Sequence, residues 1–260
     1  MGPQDRAGLP ADRRPPLRAV LLDFGHTLVH YEVPDALLLQ SYREAHALVA
    51  TAHPQSPPPD DLVLRVAQHV LTAVHASYDR EELQELDHEL LYAEALAHHG
   101  YALGADTVRE LIDLEHAAFV RHLLVPDATL ATLRELRARG LRLGLVSNVS
   151  VPGTLMRRAL DALGVSEHVE AAVFSSEIGV RKPHPHIYQT VLDALGAQPT
   201  EALFVGYRVR EDVHGPRALG MRVVLTHEYR QEPVDGAEPD GVIRRFAELP
   251  ALLDRLEGER

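Results

Sequence analysis

Residues 18–28 read RAVLLDFGHTL, and this stretch is the strongest indication of the fold in the sequence. It begins with a short apolar run that becomes polar only where it ends, at Asp23. Such a run is typical of a strand that is buried on both faces of a parallel sheet. Open parallel sheets bind ligands beyond the carboxyl ends of their strands, so Asp23 is predicted to face a binding site.

From Val125 onward the sequence alternates between apolar strands and helical patterns. The predicted strands are LRLGLVS (141–147), AAVFSS (171–176), ALFVG (202–206) and MRVVLT (221–226), and RRFAELPALLDRLEG (244–258) is predicted to be a C-terminal helix. Strands that alternate with helices of about 10–15 residues indicate right-handed βαβ units. The predicted fold class is therefore α/β, with a doubly wound parallel sheet.

Residues from about 34 to 124 carry a different pattern, with long helical periodicities and no convincing strand. The four predicted helices cover 35–50, 60–78, 80–100 and 105–124. A helical insert after the first strand predicts a separate, smaller α-helical cap domain over 31–124. The α/β core then comprises 18–30 and 125–260, and the proline-rich residues 1–17 are predicted to be a disordered tail.

The composition excludes several classes of function. The chain has 260 residues and a formal net charge of −12, whereas a protein that grips nucleic acid through its phosphates needs a basic face. It contains no cysteine, so neither disulfides nor thiol chemistry are expected. No apolar run approaches the roughly 20 residues that cross a bilayer, and the N-terminal residues lack the apolar region of a secretory signal. We therefore expect a cytoplasmic protein without nucleic-acid or membrane partners, and the oligomeric state stays open.

Polar side chains stand where four of the predicted strands end. They are Asp23 with Thr27 after the first strand, Ser147 with Asn148 at the second, Arg181 with Lys182 after the third, and Tyr207 to Asp212 after the fourth. Because the carboxyl ends of parallel strands meet at one edge of a sheet, these groups are expected to converge. Arg181 alone among them is expected to be a solvated loop cation. No GxGxxG or GxxxxGK loop follows any strand, so a nucleotide-binding site is poorly supported.

These residues resemble the motifs of the haloacid dehalogenase-like superfamily of hydrolases, and the resemblance spans the chain from Arg18. Asp23 and Thr27 match the first motif, DxDxT, in part. LVSN (145–148) matches the second motif, GVRKPHPHIY (179–188) the third, and FVGYRVRED (204–212) the fourth, VGDxxxxD. The helical insert lies where this family has its C1-type cap. Any one of these motifs is weak, but four in order at strand ends are a strong signal.

The resemblance implies a phosphatase that acts on a small phosphorylated molecule through an aspartyl-phosphate at Asp23. Ser147 and Lys182 would hold the phosphoryl oxygens and neutralise their charge. Thr27 and Asn148 would be supporting, substrate-binding residues. The implied cofactor is Mg²⁺, which would be held by Asp23, the Gly25 carbonyl and Asp212.

Two positions depart from the family's pattern. Gly25 stands in place of the second aspartate of the first motif, which serves as general acid and base. Tyr207 stands in place of the first aspartate of the fourth motif, a common Mg²⁺ ligand. Glycine transfers no proton, and a neutral phenol is a poor ligand for Mg²⁺, so Asp212, or less readily Glu211, is expected to bind the ion instead. His26 is expected to have a packing role rather than to supply the missing proton.

The departures leave two further functions open beside the phosphatase. A metal-independent dehalogenase also uses an aspartate nucleophile without the second aspartate, although the serine–serine–asparagine pattern of those enzymes is lacking before Asp212. A catalytically degenerate member of the family, kept as a binding module, is the other alternative, and Tyr207 is its main support. A fold analogy alone does not choose among the three.

Overall fold

The computed structural model describes residues 15–31, 35–234, 236 and 238–258. Its strands are β1 (Ala19–Leu22), β2 (His30–Tyr31), β3 (Leu123–Leu124), β4 (Arg142–Ser147), β5 (Ala171–Phe174), β6 (Ala202–Gly206), β7 (Arg222–Thr226) and β8 (Gly241–Ile243). Its helices are α1 (Asp35–Ala52), α2 (Leu62–Asp79), α3 (His88–His98), α4 (Ala105–Val120), α5 (Asp127–Ala138), α6 (Gly153–Ala162), α7 (Ser175–Ile178), α8 (Pro185–Leu195), α9 (Gly215–Ala218) and α10 (Leu249–Gly258).

Six strands form one parallel sheet in the order β5-β4-β1-β6-β7-β8, so the prediction of a doubly wound α/β core is confirmed. Strand β1 lies between β4 and β6, which places its carboxyl end at the middle of the sheet. The four other strands predicted from the alternation are all present. Strand β8 was not predicted, because a three-residue segment that begins with glycine is too short to show a period.

The apolar run of β1 is continuous because both of its faces are covered. Val20 and Leu22 belong to one buried cluster, and Ala19 and Leu21 belong to another. Successive side chains of a strand point to opposite faces, so each cluster is one of the two apolar layers that enclose the sheet. Residues of α5, α6 and α10 complete the first layer, and residues of α8 complete the second.

Helices α1 to α4 form the smaller helical cap and pack around an apolar cluster of their own. The chain enters this region through β2 and leaves it through β3. These two strands pair antiparallel, with His30 opposite Leu124 and Tyr31 opposite Leu123. The expectation that residues 34–124 hold no strand is wrong at Leu123–Leu124, and the boundaries of the cap at 31 and 124 stay a prediction.

The third cap helix begins later than its sequence pattern predicts. A single helix over 80–100 was expected, but α3 begins at His88, where the Asp87 side chain accepts a hydrogen bond of 3.0 Å from the Leu90 amide. Residues 80–87 instead form a loop whose backbone groups bond to the core. The Arg181 amide donates to Leu83 O at 2.7 Å, and the Glu85 amide donates to Gly179 O at 2.9 Å. These bonds satisfy backbone groups that a longer helix would have satisfied internally.

The N-terminal part of the predicted tail, residues 1–14, lies outside the described residues. Residues 15–17 are described, and Leu17 is buried against the core. Within the described part of the chain, none of the helices combines the length and the apolar character that a bilayer crossing requires. The cytoplasmic location expected from the sequence stays a prediction.

Candidate active site

Asp23 follows β1 directly and is held rigidly at the centre of the sheet edge. Its amide donates to Val205 O on β6 at 2.9 Å. Its carboxylate Oδ2 accepts from Thr27 Oγ1 at 2.9 Å, and Oδ1 accepts from Lys182 Nζ at 2.7 Å. Thr27 is fully buried behind Asp23. Charge-assisted bonds to both oxygens fix the orientation of the carboxylate.

Lys182 is the centre of the charge network. Its Nζ lies 2.7 Å from Asp23 Oδ1 and 2.7 Å from Asp212 Oδ1, and its side chain is 3% exposed. Burial lowers the pKa of Lys182, but the carboxylates of Asp212 and Asp23 raise it, and the net shift is upward. The ammonium therefore stays charged between its two partners at neutral pH.

Asn148 positions Lys182 rather than the nucleophile. Its Oδ1 accepts from the Lys182 amide at 2.7 Å, and its Nδ2 donates to the Lys182 carbonyl at 3.0 Å. This two-bond clamp ties the end of β4 to the loop that precedes α8. The chain has 26 lysine and arginine residues, and Lys182 is the only lysine among them, a feature of the composition that also distinguishes this residue.

Asp212 closes the loop that follows β6. Its Oδ2 accepts hydrogen bonds from the amides of Tyr207 and Arg208 at 3.0 and 2.9 Å, while its Oδ1 accepts one from Lys182 Nζ at 2.7 Å. A side chain at Gly206 would collide with the Asp212 carboxyl group, so the loop requires glycine there. Asp212 thus shapes the loop after β6 and balances the charge of Lys182.

A chamber of about 470 Å³ opens in front of these groups. Asp23, Gly25, Ser147, Asn148 and Lys182 all line it, so the structure brings five of the predicted site residues together. Thr27 and Asp212 stand behind this wall and do not line the chamber. This space, called the reaction chamber below, is large enough for a small molecule.

Two arginines in the reaction chamber had no role in the sequence-based prediction. Arg208 lines it and donates from Nε to Tyr207 Oη at 2.9 Å. Arg230, from the segment after β7, lines it as well. Arg208 lies inside the fourth motif, so its place near the site could have been predicted from the sequence, whereas Arg230 belongs to no motif. Together with Lys182 they place three cations on the chamber wall, beside the acidic side chains of Asp23, Asp79 and Glu211, and local cations of this kind can bind an anionic group even on an acidic protein.

His26 also lines the reaction chamber, with its backbone in the left-handed region at φ 55°. Burial, reinforced by the charge of Arg230 and then by His30 and Arg208, lowers the pKa of His26 to about 4. The ring is therefore neutral at pH 7. A neutral imidazole is a poor proton donor, so His26 does not replace the missing aspartate as the general acid.

Arg181 is buried, so the expectation of a solvated loop cation is wrong. Its side chain is 1% exposed and forms an ion pair with Glu85 of the cap, whose side chain is 2% exposed. The guanidinium also donates to Ser77 Oγ at 2.6 Å and lies 4.3 Å from the centre of the Tyr78 ring. We call this contact between cap and core the Arg181–Glu85 clasp. It places Tyr78 and its helix over the reaction chamber.

The described residues do not fit the Mg²⁺ site that the sequence implies. Asp23 and Gly25 line the reaction chamber, but both oxygens of Asp212 are engaged by Lys182 and by two amides. Tyr207 presents a phenol that is bonded to Arg208. Within the described ranges, no three histidine or acidic side chains form a group that could hold a metal. The metal role of Asp212 stays a prediction.

Tyr207→Asp is expected to strengthen Mg²⁺ binding by about tenfold or more, because it supplies a carboxylate where the family has one. Isothermal titration of wild type and variant with Mg²⁺ measures the change. Tyr207→Asn is the matched control, since it removes the ring without adding charge. Equal binding by the aspartate and asparagine variants, or tight binding by the wild type, would contradict this account of the site.

Fold and strand-end chemistry together define a capped α/β hydrolase, and the chain belongs to the haloacid dehalogenase-like hydrolase family, whose family model matches residues 17–220. A phosphoserine phosphatase from Thermus thermophilus is 33% identical over 67% of this chain and 71% of its own length. A phosphoglycolate phosphatase from Yersinia pestis is 35% identical over 59% of this chain and 66% of its own length. The resemblance seen in the motifs, and with it the assignment to a hydrolase family, is confirmed.

A solved structure shows a likeness of fold over most of the chain. A 2-haloacid dehalogenase from Pseudomonas syringae matches with a TM-score of 0.66 over 92% of this chain and 99% of that one, at 19% identity. At this identity the match shows the fold alone. Phosphatases and a dehalogenase therefore both stand among the proteins similar to this chain, and the choice between the reactions rests on its own residues.

Proposed function

We propose that this protein hydrolyses a phosphate monoester of a small molecule through an aspartyl-phosphate on Asp23. The observation that carries the proposal is the Asp23–Lys182 pair at 2.7 Å on the wall of a chamber that Arg208 and Arg230 also line. A carboxylate nucleophile next to fixed cations suits a phosphoryl group, whose transfer depends on positioning and charge stabilisation. The relatives named as phosphatases support the same reaction.

The reaction divides into two displacements at phosphorus. In the first, a carboxylate oxygen of Asp23 forms a bond to phosphorus while the ester bond breaks, and the leaving oxygen departs with the electron pair. In the second, water attacks the aspartyl-phosphate, which regenerates the carboxylate and releases inorganic phosphate. Lys182 neutralises charge on the phosphoryl oxygens, and the Ser147 hydroxyl at the end of β4 donates to one of them.

Neither Gly25 nor His26 supplies a proton to the leaving group. Gly25 carries no proton, and His26 is neutral at pH 7 because its pKa is lowered to about 4. Where no acid protonates it, the leaving oxygen departs as an anion, so the rate depends steeply on the acidity of the corresponding alcohol. We therefore expect a preference for aryl phosphates, which release a phenolate, over alkyl phosphates.

Gly25→Asp is expected to raise the hydrolysis of alkyl phosphates by about 10²-fold, because it restores the proton donor of the first motif. Hydrolysis of p-nitrophenyl phosphate should change far less, since its leaving group needs no proton. Comparison of kcat/KM for the two ester classes measures the effect, with Gly25→Asn as a control that adds bulk without an acid. Equal rates for alkyl and aryl esters in the wild type would mean that another residue donates the proton.

The proposed function is tested against its rivals with two substrates. Purified protein is assayed for phosphate release from p-nitrophenyl phosphate and for halide release from 2-chloropropanoate, with and without Mg²⁺. Phosphate release that is lost in Asp23→Asn supports the proposal. Halide release alone would establish the dehalogenase reaction instead. No turnover of either substrate would overturn the proposal and favour a binding module.

A further inference from the structure

A second chamber, of about 640 Å³, lies between the cap and the core. It shares walls with the reaction chamber at His26, His75, Tyr78, Ser147 and Asn148, so the two spaces adjoin. Most of its remaining lining is apolar and comes from both parts of the molecule, including Phe24, Val70, Leu71, Ile112, Phe119 and Met156. A substrate whose phosphate lies at Asp23 would therefore extend its leaving group into apolar surroundings.

One carboxylate interrupts this apolar wall. Glu115, on α4, lines the second chamber and accepts a hydrogen bond at Oε2 from the Tyr92 hydroxyl. Its Oε1 atom is shielded from solvent and has no hydrogen-bond partner within the described part of the chain. Burial raises the pKa of Glu115 to about 7, against the opposing effect of the Tyr92 bond. A buried carboxylate oxygen without a partner is costly, and such a group in a cavity wall points to a ligand.

Glu115 lacks a basic partner among the residues that the structure describes. Two other acidic residues of the cap that lie near the core do pair with arginine, Asp113 with Arg158 and Glu85 with Arg181. Among the described residues, no basic side chain forms an ion pair with Glu115. Burial lowers the pKa of the neighbouring His88 to about 4, so that ring adds no positive charge at neutral pH.

Aromatic rings complete the surroundings of this carboxylate. Tyr42, Tyr92 and Phe119 line the second chamber together with Glu115. The faces of aromatic rings attract cations, and a carboxylate among such rings recognises a positively charged nitrogen better than a neutral donor. An anionic or purely aliphatic group would leave the Glu115 oxygen without its bond.

We propose that the second chamber holds the leaving group of the substrate, and that this leaving group carries a cationic amine that donates to Glu115 Oε1. The inference rests on the proposed function. It narrows the substrate class to phosphate esters whose leaving group has an apolar, aromatic part and an amine at the end remote from the phosphate. The unassisted departure of the leaving group, argued above for Gly25, favours a phenolic oxygen at the near end.

The test uses three aryl phosphates that differ only in the para substituent. These are 4-(2-aminoethyl)phenyl phosphate, 4-(2-hydroxyethyl)phenyl phosphate and 4-propylphenyl phosphate. The phenols have similar acidity, so differences in kcat/KM report binding of the side chain. In the wild type the amine ester is expected to exceed the propyl ester by at least about tenfold, because a buried hydrogen bond between charged groups is involved.

Glu115→Gln is expected to reduce that ratio to near one, since it keeps the shape of the side chain and removes its charge. The matched control is Glu110→Gln, an exposed residue on the same helix, which should leave the ratio unchanged. A ratio that survives in Glu115→Gln, or that falls equally in Glu110→Gln, overturns the assignment of Glu115.

A second measurement needs only the wild type and so does not depend on the folding of any variant. The ratio of amine to propyl ester should rise from about pH 6 to about pH 8, because Glu115 becomes ionised near its pKa of about 7. Four titratable groups that line the chamber with Glu115 have pKa values shifted away from this window. Tyr42 and Tyr92 have raised pKa values, and His88 and His116 have lowered ones. Ionisation of the phosphate cancels in the ratio, and a ratio independent of pH overturns the proposal.

The outcomes separate this inference from the proposed function. If none of the esters, including p-nitrophenyl phosphate, is hydrolysed, the proposed function is overturned and the inference falls with it. If esters are hydrolysed without a preference for the amine, only the inference is overturned. Equal rates for the aminoethyl and hydroxyethyl esters would overturn the claim that the leaving group carries a cationic nitrogen, because a neutral donor would then bind Glu115 equally well.

Discussion

Replacing Asp23 with asparagine is expected to lower kcat/KM for p-nitrophenyl phosphate by at least about 10³-fold, because the amide oxygen does not attack phosphorus. The fold should survive, since Lys182 keeps its second carboxylate partner, Asp212, at 2.7 Å. Wild-type protein quenched during turnover should carry one phosphoryl group on a peptide that contains Asp23. The variant should carry none.

A matched control for this substitution is Asp161→Asn, which makes the same chemical change at an exposed position on α6. Its activity should equal that of the wild type. If Asp23→Asn kept more than about a tenth of the wild-type rate, the nucleophile would lie elsewhere, and trapping on another residue would identify it.

Lys182→Met is expected to abolish hydrolysis and to lower the free energy of unfolding by about 3–5 kcal/mol. The reason is that Asp23 and Asp212, with side chains 8% and 1% exposed, would lose the cation between them. Urea denaturation of the purified variant measures the loss of stability. Lys182→Arg keeps the charge, but a planar guanidinium does not reproduce the compact ammonium, so we expect most of the activity to be lost there too.

A double variant separates charge from catalysis in this network. Adding Asp212→Asn to Lys182→Met removes one of the two unpaired carboxylates, so part of the lost stability should return while activity stays absent. A change in stability below about 1 kcal/mol for Lys182→Met alone would contradict the buried network, because exposed ion pairs contribute no more than that.

The sheet and the strand-end residues were open to prediction because they depend on local periodicity and on one topological rule. Apolar runs that end in Asp23, Ser147 and Gly206 specify strands, and parallel strands bring their carboxyl ends to one edge. That rule predicts that Asp23 and Lys182, which are 159 residues apart in the chain, lie at the same edge of the sheet, whereas their direct contact also depends on the loop before α8. Which of them touch substrate stays a prediction.

Other features depend on partners that no local pattern reveals. Residues 80–87 have the composition of a helix, yet they form a loop because the core offers them backbone and side-chain partners such as Arg181. Arg181 in turn resembles a surface cation until its partner, 96 residues away in the chain, is known. Glu115 has the same limitation, since a helical period does not show whether a chamber lies beneath it.

The Arg181–Glu85 clasp has a consequence for how a substrate enters and how products leave. The cap is joined to the core covalently at the β2–β3 ribbon and non-covalently at the clasp, on the loop between α2 and α3. Other contacts, such as the Asp113–Arg158 ion pair between α4 and α6, join the two parts as well. Lifting the cap from the sheet edge would separate Arg181 from Glu85 and Ser77, whose bonds hold the guanidinium in place. An opening wide enough to break the clasp would therefore lose these contacts, whereas a passage at the side of the cap would keep them.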